Sequence, residues 1–163
     1  MAYHHGDLRR ALLDECRVVL DDIGPTALTL RNLAKRIGVS HAAAYRHFQD
    51  KEHLLAAMSV QGFADLAARS EAATSKTDHT LGKLAAAGTA YVSFAEAHPE
   101  VFKLMFSREM SHHEAVATAA HEAYGVLEAL ITVAQREGLV RDEDSEVMSL
   151  LLFTHIHGLA RLV

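Results

Sequence analysis

The sequence predicts an all-α protein, and three observations carry that expectation. Alanine and leucine dominate its composition, proline and glycine are sparse and tryptophan is absent, a bias that favours helix over strand. Apolar residues recur three and four apart along successive stretches. No stretch alternates with the period of two that a half-buried strand requires. Half of the 163 residues are hydrophobic, enough for a sizeable core.

The first helix is predicted from Asp7 to Asp22. There Leu8, Leu12, Cys16, Val19 and Ile23 lie along one face with Leu13 and Leu20 beside them, and Asp7 suits an N-cap. Tyr3 to Gly6 precede it as a mobile arm. Arg9 and Arg10 fall on the exposed side, where they either reach a phosphate or minor groove or stay solvated. Gly24-Pro25 makes a turn and Thr29 caps a second helix, with Leu30, Leu33, Ala34 and Ile37 inward. Gly38-Val39-Ser40 then breaks the pattern. Gly38 suits the left-handed conformation that stops a helix, and Ser40 can cap the next one. Ala34 is small enough to let the two helices approach closely. The third helix is short, opens on His41, Ala42 and Ala43, and leads to Phe48 in the core. A helix with short leading side chains and flanking donors at Tyr45, Arg46 and His47 can enter a DNA major groove. Helix-turn-helix pairs also occur as plain packing units.

A fourth helix follows from Lys51 to about Ala73, and the polar residues 74–79 read as a loop. Leu81 to Ala97 is the next helix. Pro99 then opens a short helix, where its missing N–H costs nothing. After a break at 110–113, a long helix runs from Glu114 to Glu137 and is closed by Gly138. The acidic residues 142–146 lead into a last helix, Glu146 to Val163, at the end where negative charge is favourable.

Charge is unevenly distributed. Residues 1–53 hold eight Lys/Arg against seven Asp/Glu with five histidines, whereas residues 54–163 hold eight against fourteen. The first third is thus better suited to phosphate than the remainder. The one cysteine, Cys16, excludes a disulfide framework and a cysteine-based metal site, and fits a reducing cytoplasm. The amino terminus lacks the apolar core of a secretory signal, and the most apolar later run is interrupted by His155, His157 and Arg161. The expectation is a cytoplasmic protein without a membrane span.

Residues 3–55, YHHGDLRRALL through GPTALTLRNLAKRIGVSHAAAYRHFQDKEHLL, resemble the DNA-binding domain of the TetR/AcrR family of bacterial transcriptional regulators. Tyr45-Arg46-His47-Phe48 followed by Lys51-Glu52 and Leu54-Leu55 is the most specific part. The resemblance implies that His41, Ala42 and Ala43 read bases. It also implies that Thr29, Ser40, Tyr45, His47 and Lys51 hold phosphates. Arg31, near the end facing the duplex, and Arg9 join this phosphate set as the weaker members; Lys35 and Arg36 share the polar face of Arg31. Farther along, AYVSFAEAHPEVFKLMFS and FTHIHGLARL resemble a TetR-type ligand-binding domain named for a Trp-His-Gly motif. Phe153 stands where the tryptophan would be, while His157 and Gly158 fit. Two domains follow: residues 1–53 for DNA, and residues 54–163 for ligand binding and dimerisation. Because related chains continue with another helix after this point, the second domain reads either as C-terminally truncated or as one whose end is unobserved.

The resemblance further implies a small, mostly apolar effector in the second domain. Its candidate lining residues are Tyr91, Phe94, His98, Phe102, Met105, His121, Tyr124, Phe153 and His157, each of which also reads as ordinary core. The histidine pairs His112-His113 and His155-x-His157 do not place both rings on one helix face, and no cysteine accompanies them, so no metal site is expected. There is no Gly-rich phosphate loop, no H-E-x-x-H and no nucleophile motif, so no enzymatic activity is expected. The expected function is a repressor that binds a palindromic operator as a homodimer and is released by its ligand. The rival is a small-molecule or metal-responsive binder with a vestigial helix-turn-helix.

Overall fold

The computed structural model describes residues 5–162, and among them the regular elements are helical. They run in the order α1 (His5–Ile23), a 3-10 turn (Pro25–Ala27), α2 (Leu30–Arg36), α3 (His41–Tyr45), α4 (Lys51–Thr74), α5 (Thr80–Ala97), α6 (Pro99–Met105), a second 3-10 turn (Met110–His112), α7 (Glu114–Arg136) and α8 (Ser145–Ala160). The all-α expectation is met, and each boundary falls within a few residues of its sequence-based position. Helix α1 starts two residues ahead of Asp7, a difference typical of fraying helix ends. Tyr3 and His4, assigned to a mobile arm, lie outside the described residues. Helix α8 stops at Ala160 rather than Val163, after an N-terminus capped by Asp144, whose Oδ1 accepts from the Glu146 and Val147 amides.

The chain forms two compact units. The first comprises residues 1–62 and 100–116, the second residues 63–99 and 117–163. Helix α4 contributes its first half to one and its second half to the other. Residues 100–116 fall to the far side of position 53 in sequence, yet they pack in the first unit.

In the first unit, Leu8, Leu12, Leu13, Cys16, Val19 and Leu20 of α1 are buried together with Leu28, Leu30, Leu33, Ala34, Ala44, Phe48, Leu54 and Met58. Val101, Phe102, Met105, Met110 and Val116 complete this core. Ile23, expected on the inward face of α1, is instead 56% exposed. It sits at the last position of the helix, just before the chain turns at Gly24 and leaves that face uncovered. Burial pushes the Cys16 thiol up to about 12, which keeps it protonated and unreactive. Gly62 on α4 marks a close approach: a Cβ there would lie 2.5 Å from Met105 Sδ and 3.2 Å from Val101 Cγ1. Bare backbone at that point is what lets α6 settle against α4. His113 Nε2 also meets Glu52 Oε1 at 3.0 Å, linking the start of α4 to the segment before α7.

In the second unit, α8 packs along α5, with Ile156 against Gly88. Phe63, Leu66, Phe94, Ala95, Ile131, Ala134 and Ala160 are buried there. Other inward aromatic residues, Tyr91, Tyr124 and Phe153, remain only half-buried.

Candidate nucleic-acid interface

Two short helices of the first unit, with the longer α1 behind them, build the site. Helices α2 and α3 pack on each other and both touch α1. The turn between them closes with a pair of backbone bonds that only a left-handed residue permits: Gly38 N–H donates to the Lys35 carbonyl at 3.3 Å and Val39 N–H to the Ala34 carbonyl at 2.9 Å. Gly38 has φ of 75°, a conformation costly for any residue with a Cβ. Ala34 and Ala44 are fully buried, so no long side chain holds the two helices apart.

Both helix starts are capped as their sequences predict. Thr29 Oγ1 accepts from the Asn32 amide at 3.1 Å, and Ser40 Oγ accepts from the Ala43 amide at 3.2 Å. In each case capping uses the hydroxyl oxygen as acceptor and leaves its O–H able to donate. Thr29 and Ser40 are both exposed, so that donor faces outward. Asp50 caps α4 in the same way, accepting from the His53 amide at 2.9 Å. Its carboxyl is held below the usual range, first by that backbone bond and then by the His53 side chain.

The side chains displayed by α3 separate cleanly. Ala44 and Phe48 point into the core, Ala43 and His47 are half-buried, and His41, Ala42, Tyr45 and Arg46 are exposed. These four positions, spaced i, i+1, i+4 and i+5, form one continuous face. Tyr45 is 53% exposed. Of the three residues assigned to base reading, His41 and Ala42 stand on this face and Ala43 at its margin. Arg46 shares the face; the sequence marks it as a flanking donor, but it was assigned neither to the base-reading nor to the phosphate set. The signal was available, because 42 and 46 are four apart on a helix.

The cations around the face differ in their commitments. Arg36 pairs with Glu15, and Arg10 lies 3.9 Å from Asp14. Arg9 stands 5.3 Å above the centre of the Phe48 ring, which fixes it beside the end of α3. Lys51 Nζ donates to the Pro25 carbonyl at 2.6 Å, so one of its three donors ties α4 to the turn before α2. Arg31, Lys35 and Arg46 are exposed, and their side chains form no hydrogen bond or ion pair among the described residues.

The candidate effector residues do not come together as one set. Tyr91, Tyr124, Phe153 and His157 form a ring cluster in the second unit: Phe153 lies 6.1 Å from Tyr91, 5.9 Å from Tyr124 and 5.4 Å from His157 between centroids. Tyr91 Oη and His157 Nδ1 are 2.7 Å apart. Burial raises the Tyr91 phenol, while burial and then Arg161 lower the His157 imidazole. Phe94 and His98 form a separate contact with Arg69, whose guanidinium lies over the Phe94 ring and 3.3 Å from His98 Nε2. Phe102 and Met105 lie on α6, which opens at Pro99, and are buried in the core of the first unit. His121 is exposed. Among the described residues, no three His, Cys, Asp or Glu side chains converge as a metal ion would need. No described helix is long and apolar enough to cross a membrane.

A capped two-helix turn presenting an exposed, donor-bearing face is the arrangement of the helix-turn-helix class of DNA-binding proteins. A family model described as bacterial regulatory proteins, tetR family, matches residues 12–58, and one described as tetracyclin repressor-like, C-terminal domain, matches residues 84–163. The chain belongs to the TetR family of transcriptional regulators, which act by binding DNA and not as enzymes. A solved protein of unknown function from Rhodococcus sp. RHA1 is 36% identical, with a TM-score of 0.88 over 99% of this chain and 85% of that one. The class C tetracycline repressor protein of Escherichia coli is 41% identical over 51 residues, covering 31% of this chain and 23% of its own length. The nucleoid occlusion factor SlmA of Idiomarina loihiensis is 24% identical over 97% of this chain and 84% of its own.

Proposed function

We propose that the protein is a ligand-released repressor that binds a palindromic operator as a homodimer in the cytoplasm. DNA contact then lies in residues 1–53, and effector binding and dimerisation in residues 54–163. The observation that carries this reading is the exposed α3 face, held by the Gly38 turn and the Ser40 cap. In this reading Tyr45 on that face and Thr29, Ser40, His47, Lys51, Arg31 and Arg9 hold phosphates, and several such contacts per subunit give a steep salt dependence.

The dimer is supported by α8, which is apolar on more than its packed side. Val147, Leu150, Leu151 and Leu159 are each about half exposed, an arrangement that a second copy would cover. A small apolar effector is supported by the half-buried cluster of Tyr91, Tyr124, Phe153 and His157, in which a hydroxyl and an imidazole supply polar contacts within aromatic walls. This is the part that resembles the Trp-His-Gly type of domain, with Phe153 in place of tryptophan. Release needs only that the ligand prefer the conformation with weaker operator affinity.

The test is selection of bound fragments from genomic DNA, followed by gel-shift titration with and without candidate ligands. Recovery of a two-fold symmetric site, lost on His41→Ala with Tyr45→Ala while the fold is intact, supports the reading. Equal operator affinity with and without every ligand removes the release step. Unaltered binding by the double variant removes the assignment of α3.

A further inference from the structure

We propose that Arg46 is a base-reading residue that selects a guanine in each half-site, and that Ala42 serves chiefly to leave room for it. Sequence reasoning divided α3 into short leading residues for bases and later donors for phosphates. The structure does not respect that division, because Arg46 stands on the same exposed face as His41, Ala42 and Tyr45.

Its backbone continues the helical turn, with φ −73° and ψ −23°. Side chains on a helix lean toward its N-terminus and over the preceding turn. A side chain at 46 therefore runs over position 42. A large residue at 42 would occupy that space, and a single methyl leaves it open. That lean would carry the guanidinium toward the His41 end of α3, the end that would lead into a major groove.

Commitment separates Arg46 from the neighbouring cations. Arg9 is engaged by the Phe48 ring, Arg10 lies near Asp14, Arg36 pairs with Glu15, and Lys51 is engaged by the Pro25 carbonyl. Arg31 and Lys35 are uncommitted but sit on α2. Arg46, the C-cap of α3, is the cation at this helix whose side chain is uncommitted among the described residues. Its planar fork matches the N7 and O6 acceptors of guanine, a pattern that no other base pair offers in the major groove.

The experiment is selection from a random duplex pool by the full chain and by Arg46→Ala and Ala42→Leu, with thermal melts confirming that each variant is folded. The winning site is then titrated with each guanine replaced by an analogue that has carbon at N7. The wild type is expected to select one G·C pair per half-site that Arg46→Ala no longer selects. Discrimination at that pair should fall roughly 5- to 150-fold. The N7 analogue at that position should weaken the wild type but not Arg46→Ala, and Ala42→Leu should lose the same preference. If Arg46→Ala instead weakens every sequence equally and lowers the salt slope by about one, Arg46 holds a phosphate and the proposal is overturned. It is equally overturned if the variant selects the same site as the wild type, or if the wild-type site has no guanine whose N7 matters. Failure to bind any DNA sequence-specifically would strike at the α3 assignment itself.

Discussion

The conformation of Gly38 allows a quantitative test of how the turn between α2 and α3 is held. Its φ of 75° lies in the left-handed region, and a Cβ built there meets nothing within 4 Å. A substitution at this position therefore acts through backbone strain and not through a clash. Placing an L side chain in that conformation costs about 1–2 kcal/mol. Alanine also restricts the unfolded chain, which offsets about 0.4–1 kcal/mol. Gly38→Ala should thus destabilise the protein by about 1 kcal/mol, or about 2–4 °C in melting temperature for a chain of this length. Asparagine tolerates the left-handed region better, so Gly38→Asn should recover much of the loss. Melting followed by far-ultraviolet circular dichroism reads both shifts. Operator affinity should fall in the same order, since the turn seats α3 on α2. Ala and Asn variants of equal stability, or an alanine variant that melts with the wild type, would refute a strained left-handed turn.

Other positions respond through different physics. Gly62→Ala should lower the melting temperature by overpacking against Met105 and Val101, typically about 1–3 kcal/mol, and combining it with Met105→Ala should cost less than the sum of the two separate losses. Native Cys16 should be inert to a thiol-specific reagent and react as a single thiol once the chain is unfolded, because burial holds it protonated; rapid labelling of the native protein would contradict its place in the core. His157 has a folded value below its ordinary 6.5, so the fold favours the neutral ring. Its contribution is fully present above that ordinary value and is lost as pH falls through the lower folded one. The imidazole resonance should titrate below the ordinary histidine value, and His157→Gln should flatten the acid side of a stability–pH profile. Leu151→Glu on the outward side of α8 should lower the average mass in sedimentation experiments at fixed concentration; an unchanged mass would place the dimer contact elsewhere.

Much of the candidate DNA-binding site was legible in the chain, because its determinants are local. Thr29 and Ser40 cap helices three residues ahead of their amide partners, Gly38 ends a helix within one turn, and the apolar spacing of Leu30, Leu33 and Ala34 sets which side of α2 is covered. Each of these involves residues within a few positions of one another. The second half was less legible. Its aromatic residues all carry the same hydrophobic signal, and spacing along one helix does not say which rings meet across helices.

The amino-acid sequence determined the helices, their caps and breaks, and the turn that brings α2 to α3, since these follow from backbone conformation and short-range hydrogen bonds. Tertiary packing decided the rest: that α6 lies in the notch at Gly62 and takes Phe102 and Met105 into the first unit, that Tyr91 meets His157 across 66 positions, and that Lys51 ties α4 to Pro25. Those pairings depend on how separate helices fill one another's surfaces, and that steric fit exists only once the chain has closed on itself.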